Sequence, residues 1–164
     1  MGNGEKIMKN LKDANVLVDY GTIEMELVEK VEKLNGIKLP NEYKQFIIRH
    51  NGASLIIHSF DFYDENIGDE SSDAITFIEV QEITMFMDGL LRESMDDPDY
   101  FPEKLIPFGD TGGGDFICFD YRDYNGSNPP IIIWNHDVYE NSKRISFIAN
   151  NFEEFINMLH EYRE

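Results

Sequence analysis

Cysteine, basic residues and long apolar runs are what this sequence has least of. The chain has 164 residues and one cysteine, Cys118, which excludes an internal disulfide framework and a cysteine-rich zinc site. A lone thiol suits a reducing compartment, so we expect a cytoplasmic protein. No apolar run approaches the roughly 20 residues that a membrane-spanning helix needs. The first residues have no apolar stretch behind their charges, so they do not resemble a secretory signal.

Positive charge is scarce. The chain has 14 Lys and Arg residues against 32 Asp and Glu, which gives a formal net charge of −18 and a pI near 4.4. Nucleic-acid affinity depends mainly on basic side chains that neutralise phosphates, so this composition argues against a nucleic-acid partner. Anionic membrane surfaces would repel the chain for the same reason.

The material for a folded core is present. Hydrophobic residues make up 41% of the chain and aromatic residues 13%, which argues against disorder. The length suits one domain, with no internal repeat and no linker that would divide it. We expect residues 1–20 to form a tail with a short packed segment, and residues 21–164 to form the domain.

Residue spacing predicts helices near both ends of the chain and strands between them. Thr22 is predicted to cap the first helix, which would bury Leu34 and end at Asn35-Gly36. The predicted helices cover 22–36, 39–52, 80–91 and a last segment that begins at Asn151. The predicted strands cover 55–58, 74–78, 105–108, 116–119 and 131–134, with acidic loops at 61–73 and 93–103. This order favours an α+β fold with a largely antiparallel central sheet and helices from both ends packed around it.

The segment Pro107-Phe-Gly-Asp-Thr-Gly-Gly-Gly-Asp115 is rich in glycine. A phosphate-binding loop would need a following helix and a Lys, but here a strand follows and two aspartates flank the glycines. We therefore expect a hairpin turn in which glycines adopt positive φ.

Catalytic chemistry has little support. The carboxylates Asp110, Asp115 and Asp120, like those of Asp61, Asp64 and Glu65, lack the spacing of a calcium loop, and such groups arise by chance in an acidic chain. Strand alternation predicts that Cys118 is a packed, unreactive thiol on the face opposite Ile117 and Phe119. His136 follows a strand and is a weak acid–base candidate. We expect no catalytic residue, no metal and no cofactor.

The charge itself leaves two interpretations open. An acidic, aromatic-rich surface can steer a basic protein partner into contact. Surplus carboxylates can equally serve only solubility.

Three segments resemble the SUKH superfamily, which includes fungal Smi/Knr cell-wall-synthesis regulators and bacterial toxin-immunity proteins. The first runs from Val31 through Leu39-Pro40 to Asn51-Gly52. The second is the strand–turn–strand unit 105–120, and the third pairs 131–136 with the closing Phe152-Glu-Glu-Phe155 helix. The stretch from Asp61 to Asp99 matches no family segment, and partner choice would be encoded there.

The resemblance implies an α+β protein that binds a cognate toxin domain, often a nuclease, rather than catalysing a reaction. Because a nuclease carries a basic cleft for phosphates, an acidic protein is suited to occlude it. The alternatives are a regulatory adaptor of the Smi/Knr type, and an enzyme that uses the Asp110–Asp120 carboxylates with a divalent metal. The oligomeric state is not predicted.

The expected contact residues fall into two groups. Each acidic candidate has plain solvation as its alternative, and Trp134 has core packing. The steering rim would consist of Asp61, Asp64, Glu65, Asp69 and Glu70. The centre would contain Asp110, Asp115 and Trp134.

Overall fold

The computed structural model describes residues 16–163. Within them, seven strands form one antiparallel sheet in which each strand pairs with the next along the chain. The strands are β1 (Val16–Val18), β2 (Ser54–Asp64), β3 (Asp69–Phe77), β4 (Leu105–Asp110), β5 (Phe116–Asp120), β6 (Ile131–Trp134) and β7 (Ile145–Ala149). The α-helices are α1 (Met25–Asn35), α2 (Asn41–Ile47), α3 (Val80–Glu93) and α4 (Phe152–Met158). The predicted α+β class with an antiparallel sheet is confirmed.

The sheet separates two hydrophobic clusters. Strand alternation directs Ile117 and Phe119 into the larger cluster, to which all four helices contribute buried residues. Cys118 points to the other cluster, where it packs with Trp134 and Phe101. The thiol is fully buried, and burial raises its pKa well above the ordinary value. The predicted orientation of Cys118 is therefore confirmed.

Two local predictions are wrong, and one strand was not predicted. Glu24, not Thr22, precedes the first turn of α1, and it makes no side-chain cap. Leu34 lies near the end of α1 with 61% of its surface exposed, because the buried stripe of the helix consists of Val28 and Val31. The sequence interpretation also missed β7, whose Ile-Ser-Phe-Ile-Ala pattern is short and contains one serine.

The acidic segment 61–73 is not a loop. It forms the outer half of a β2–β3 hairpin, which is paired as far as Asp64 and Asp69 and closed by a turn at Glu65–Gly68. Asp and Ser are uncommon in strands, but Phe60 and Phe62 alternate into the core and hold the register. Gly68 adopts φ +69°, which allows the sharp turn.

Predictions based on helix caps, helical periodicity and strand patterns agree better with the structure than those for the acidic segment. Gly36 ends α1 in a left-handed conformation, and the side chain of Asn151 accepts a hydrogen bond from the Glu154 N–H (2.8 Å) at the start of α4. The predicted helix 80–91 and the three strands at 105–108, 116–119 and 131–134 are confirmed. The segment 16–18 forms β1, but the prediction that it is packed holds only for Val16, because Leu17 and Val18 are exposed. The proposed boundary at residue 20 stays a prediction, and residues 1–15 lie outside the described part of the chain.

No helix within residues 16–163 is long and apolar enough to cross a membrane.

Candidate partner-binding surface

The strand order places three connections at one end of the sheet. Because consecutive strands run in opposite directions, the turns after β2, β4 and β6 all lie on the same side. We call this end the acidic end: it comprises the connections 65–68, 111–115 and 135–144 and the hairpin strand segments beside them. The fold therefore brings together segments whose residues lie up to 79 positions apart in sequence, from Glu65 to Arg144.

The β2–β3 hairpin is fixed in place rather than freely projecting. The backbone N–H of Glu65 donates to the Ser146 hydroxyl on β7 (2.9 Å). At the middle of the hairpin, the Asp61 carboxylate accepts from the Ser72 hydroxyl (2.6 Å) and binds Arg163 (3.0 Å). These contacts tie the hairpin to the last strand and to the C-terminal segment.

The glycine-rich turn is the hairpin connection that the sequence predicts. Gly112 and Gly114 adopt φ +81° and +102°, values that favour glycine. A Cβ on Gly114 would lie 2.9 Å from the His136 ring. The Asp115 carboxylate in turn lies 2.6 Å from His136 Nδ1 and accepts from the His136 backbone N–H (3.0 Å). Asp115 and His136 thus lock two of the three connections together.

The five predicted rim residues all lie on the hairpin, but they differ in their freedom to meet a partner. Glu65, Asp69 and Glu70 are exposed at or beside the turn. Asp64 is partly buried and accepts from the Asn66 N–H (2.8 Å), which stabilises the turn. Asp61 is held by Ser72, His160 and Arg163, and these contacts lower the pKa of its carboxyl group, Ser72 most of all.

The two predicted central carboxylates lie at the glycine turn. Asp110 is half-buried, and burial raises the pKa of its carboxyl group while the Gly112 N–H partly offsets the shift. Asp73, which the sequence interpretation did not select, also has a raised pKa, first because of burial and then because of the Asp115 charge. The negative charge of Asp115 at the glycine turn thus acts on Asp73 of the hairpin, so the two connections contribute carboxylates to the same end of the sheet.

Trp134 is a core residue. It is fully buried between Tyr100 and Phe101, and its indole Nε1–H donates to the Tyr100 carbonyl (2.7 Å). Its proposed place among the contact residues is corrected, because no surface of the side chain is exposed to a partner.

Further carboxylates approach the acidic end from the segment after α3. Asp97 accepts two hydrogen bonds from the Asn141 side chain (2.8 and 2.9 Å), which fastens the segment to connection 135–144. The buried Arg144 stabilises the same region. Its guanidinium donates a hydrogen bond to the His136 carbonyl (2.6 Å) and lies over the Tyr100 ring in a cation–π contact. The exposed carboxylates of Asp96, Asp97 and Asp99 thereby join the surface.

The uneven distribution of acidic residues along the chain could have predicted this surface. Residues 50–103 contain fourteen of the 32 acidic residues and a single basic one, Arg92. Two apolar side chains also stand exposed on the hairpin, Tyr63 (48%) and Ile67 (59%). Strand alternation from Phe60 and Phe62 would have predicted that Tyr63 faces outward.

The groups that the sequence analysis considered for catalysis are the acidic residues, Cys118 and His136. Within residues 16–163, no three His, Cys, Asp or Glu side chains form a group that could hold a metal ion. The thiol of Cys118 is buried, and the His136 ring contacts Asp115 in a structural role.

These features define an α+β protein with one meandering antiparallel sheet and a rigid acidic end. Residues 23–158 match the model of the SMI1/KNR4 family (SUKH-1), and the chain belongs to that family. It is also similar to an SPbeta prophage-derived uncharacterized protein, YokK, of Bacillus subtilis (strain 168). The two are 26% identical over 142 residues, which cover 80% of this chain and 71% of the relative. The family includes toxin-immunity proteins and is known for non-catalytic immunity and regulatory roles.

Proposed function

We propose that this chain is a cytoplasmic, non-catalytic immunity protein that neutralises a cognate toxin domain by occluding a basic active-site cleft. A nuclease domain is the toxin class that fits this role, since its substrate requires such a cleft. The observation that carries the proposal is the acidic end, where three connections present carboxylates on a fixed framework. Family membership supports it, and the single buried thiol suits a reducing compartment.

The acidic end is suited to fast and specific association. Carboxylates on one side of a molecule attract a basic partner and orient it before contact. Exposed apolar side chains among those charges can then anchor the complex, as Tyr63 and Ile67 would. Because contacts to β7 and the C-terminal segment already hold the hairpin, little conformational entropy would be lost on binding.

Co-expression tests the proposal. The toxin candidate is the C-terminal domain of a large protein encoded beside this chain's gene, expressed in cells with and without this protein. We expect cell death with the toxin domain alone and survival when both are present. Death in both cultures would contradict this pairing and favour the alternative, a regulatory adaptor of the Smi/Knr type.

Charge-reversal variants then locate the surface. Asp69→Lys with Glu70→Lys should abolish rescue, because both carboxylates are exposed on the hairpin and neither holds another element in place. The matched control is Glu24→Lys with Glu26→Lys, which makes the same change in net charge at exposed positions at the start of α1. Equal loss of rescue in both double variants would show that net charge, rather than the acidic end, decides protection.

A further inference from the structure

The opposite end of the sheet carries a cleft of different character. The cleft has a volume of about 860 Å³ and lies between the C-terminal part of α1 and the connection after β5. It is tied together by Tyr121, whose hydroxyl donates to the Lys38 carbonyl (2.6 Å) and whose backbone N–H donates to the Lys104 carbonyl (2.9 Å). Hydrogen bonds thus connect the segments around Lys38, Lys104 and Tyr121 along one side of the cleft.

Basic side chains gather in this cleft although the chain as a whole is strongly acidic. Lys33, Lys38, Lys104 and Arg122 all line it. Among residues 16–163, no carboxylate lies within salt-bridge distance of the three lysines. We call this site the lysine cleft.

The acidic groups of the lysine cleft are fewer, and one of them is already neutralised. The Glu32 carboxylate forms an ion pair with Lys44 (3.2 Å) and accepts a hydrogen bond from the Leu39 N–H (2.8 Å). Lys44, which does not line the cleft, therefore balances its charge. Glu29 and Asp123 also line the cleft and set a limit on its positive potential. Arg122 is held in a two-point contact by Asp120 (2.9 Å for both bonds), which fixes the direction of its remaining N–H donors.

Lys104 is held in an uncommon backbone conformation. With φ +71° it is the non-glycine residue of positive φ among residues 16–163. Backbone angles in this left-handed region are unfavourable for lysine and are adopted more readily by glycine or asparagine. Position 104 therefore has a lysine where a neutral residue would have less backbone strain. Backbone conformations of this kind concentrate at binding and active sites, which directs attention to the Lys104 ammonium group.

We propose that the lysine cleft binds a small ligand that carries two or more phosphate groups. Three lysines without carboxylate partners and an oriented guanidinium supply the point charges and the directional donors that phosphate oxygens accept. The site is distinct from the acidic end, so the proposal does not depend on the toxin.

The overall charge selects a small ligand over a macromolecular polyanion. Strand β4 separates the two ends by about 17 Å, roughly twice the distance over which physiological salt screens charge. A small anion in the cleft therefore feels mainly the nearby lysines. A nucleic acid or an acidic protein would extend over carboxylates elsewhere on a chain of net charge −18.

Calorimetric titration with sodium tripolyphosphate tests the proposal at low ionic strength, with citrate as a carboxylate polyanion for comparison. We expect tripolyphosphate to bind, and the Gly36 and Gly126 amides of the cleft to shift in NMR spectra while Gly68 at the hairpin turn does not. Lys38→Glu with Lys104→Glu should weaken binding by at least about tenfold. Lys30→Glu, an exposed lysine of α1 outside the cleft, should change it less than twofold.

Three results would overturn the proposal: no shift at the cleft glycines, equal binding of citrate, or equal weakening by Lys30→Glu. Lys104→Gly gives a second test that does not depend on charge reversal. It should weaken tripolyphosphate binding several-fold while the melting temperature stays the same or rises, because glycine relieves the strain. Unchanged tripolyphosphate binding together with a lower melting temperature would show that Lys104 serves packing, and would overturn its role in the lysine cleft.

Discussion

Two buried tyrosines show how much a single hydroxyl group depends on its surroundings. Tyr43 packs at the centre of the larger cluster against Phe77, Phe108, Phe119 and Phe152, and its hydroxyl has no hydrogen-bond partner among the described residues. Burial raises the pKa of this phenol. Tyr121 is almost as deeply buried, but its hydroxyl donates to the Lys38 carbonyl.

Replacement by phenylalanine should therefore have opposite effects at the two positions. Tyr43→Phe removes an unsatisfied polar group, so we expect the free energy of unfolding to stay the same or to rise by about 1 kcal/mol. Tyr121→Phe removes a formed hydrogen bond and should lower it by about 1 kcal/mol. Urea unfolding of both variants measures the difference, and a clear loss of stability in Tyr43→Phe would reveal a partner for its hydroxyl.

The contact residues were only partly predictable from the sequence. The sequence does not show whether an acidic side chain is exposed or bound by neighbouring residues. It therefore could not distinguish the exposed Glu70 from Asp61, which contacts Ser72, His160 and Arg163. Trp134 ends an apolar strand segment, and this pattern is compatible either with a core residue or with an exposed residue that contacts a partner. Only the packing of Phe101 and Tyr100 over its ring makes it a core residue.

At the scale of the elements, the β2–β3 hairpin and the β3–β4 pairing set the shape of the acidic end. Strand β4 pairs with β3 only at Thr76–Asp110 and Phe77–Gly109. Gly109 allows this close approach, because a Cβ there would lie 2.5 Å from the buried Ile75 side chain. The short pairing leaves the outer hairpin free to reach β7.

A glycine pair tests this element. Gly109→Ala should lower the free energy of unfolding by about 1–3 kcal/mol, because the added methyl overpacks a filled site. Gly89→Ala, at an exposed position in α3 with no atom within 4 Å of the new methyl, should raise it by about 0.5–1 kcal/mol. Denaturant unfolding of the two variants gives both values, and similar effects would show that the contact between Gly109 and Ile75 is not tight.

The sequence predicted elements with strong local signals and missed those that depend on distant partners. Helix α3 and the glycine hairpin have their own periodicity and turn residues. The outer hairpin contains Asp, Glu and Ser in strand conformation, and its register follows from two phenylalanines that reach a core formed by distant segments.

On the scale of the whole molecule, the two ends of the sheet differ in charge: one end concentrates carboxylates, whereas lysines and carboxylates share the lysine cleft at the other. The acidic end even places Asp64 and Asp69 directly opposite each other on paired strands, where like charges repel. Such an arrangement lowers stability, and it is consistent with a surface kept for binding.

Added salt should therefore stabilise the free protein. Raising sodium chloride from low to physiological concentration screens the repulsion among carboxylates and should raise the urea midpoint. Asp69→Lys should raise the free energy of unfolding by about 0.2–1 kcal/mol and reduce the dependence on salt. A midpoint that falls with salt in the wild-type protein would show that favourable ion pairs outweigh the repulsion.

By itself, the sequence determined the α+β class, the helices with clear caps and periodicity, the glycine turn, the orientation of Cys118 and the large negative charge. These properties follow from local residue patterns or from composition, which need no knowledge of distant contacts. The tertiary structure alone decided that 61–73 is a hairpin, that Trp134 is buried, and that acidic connections meet at one end while lysines meet at the other. Those features arise because an antiparallel meander brings remote segments together, and no local pattern encodes which segments will meet.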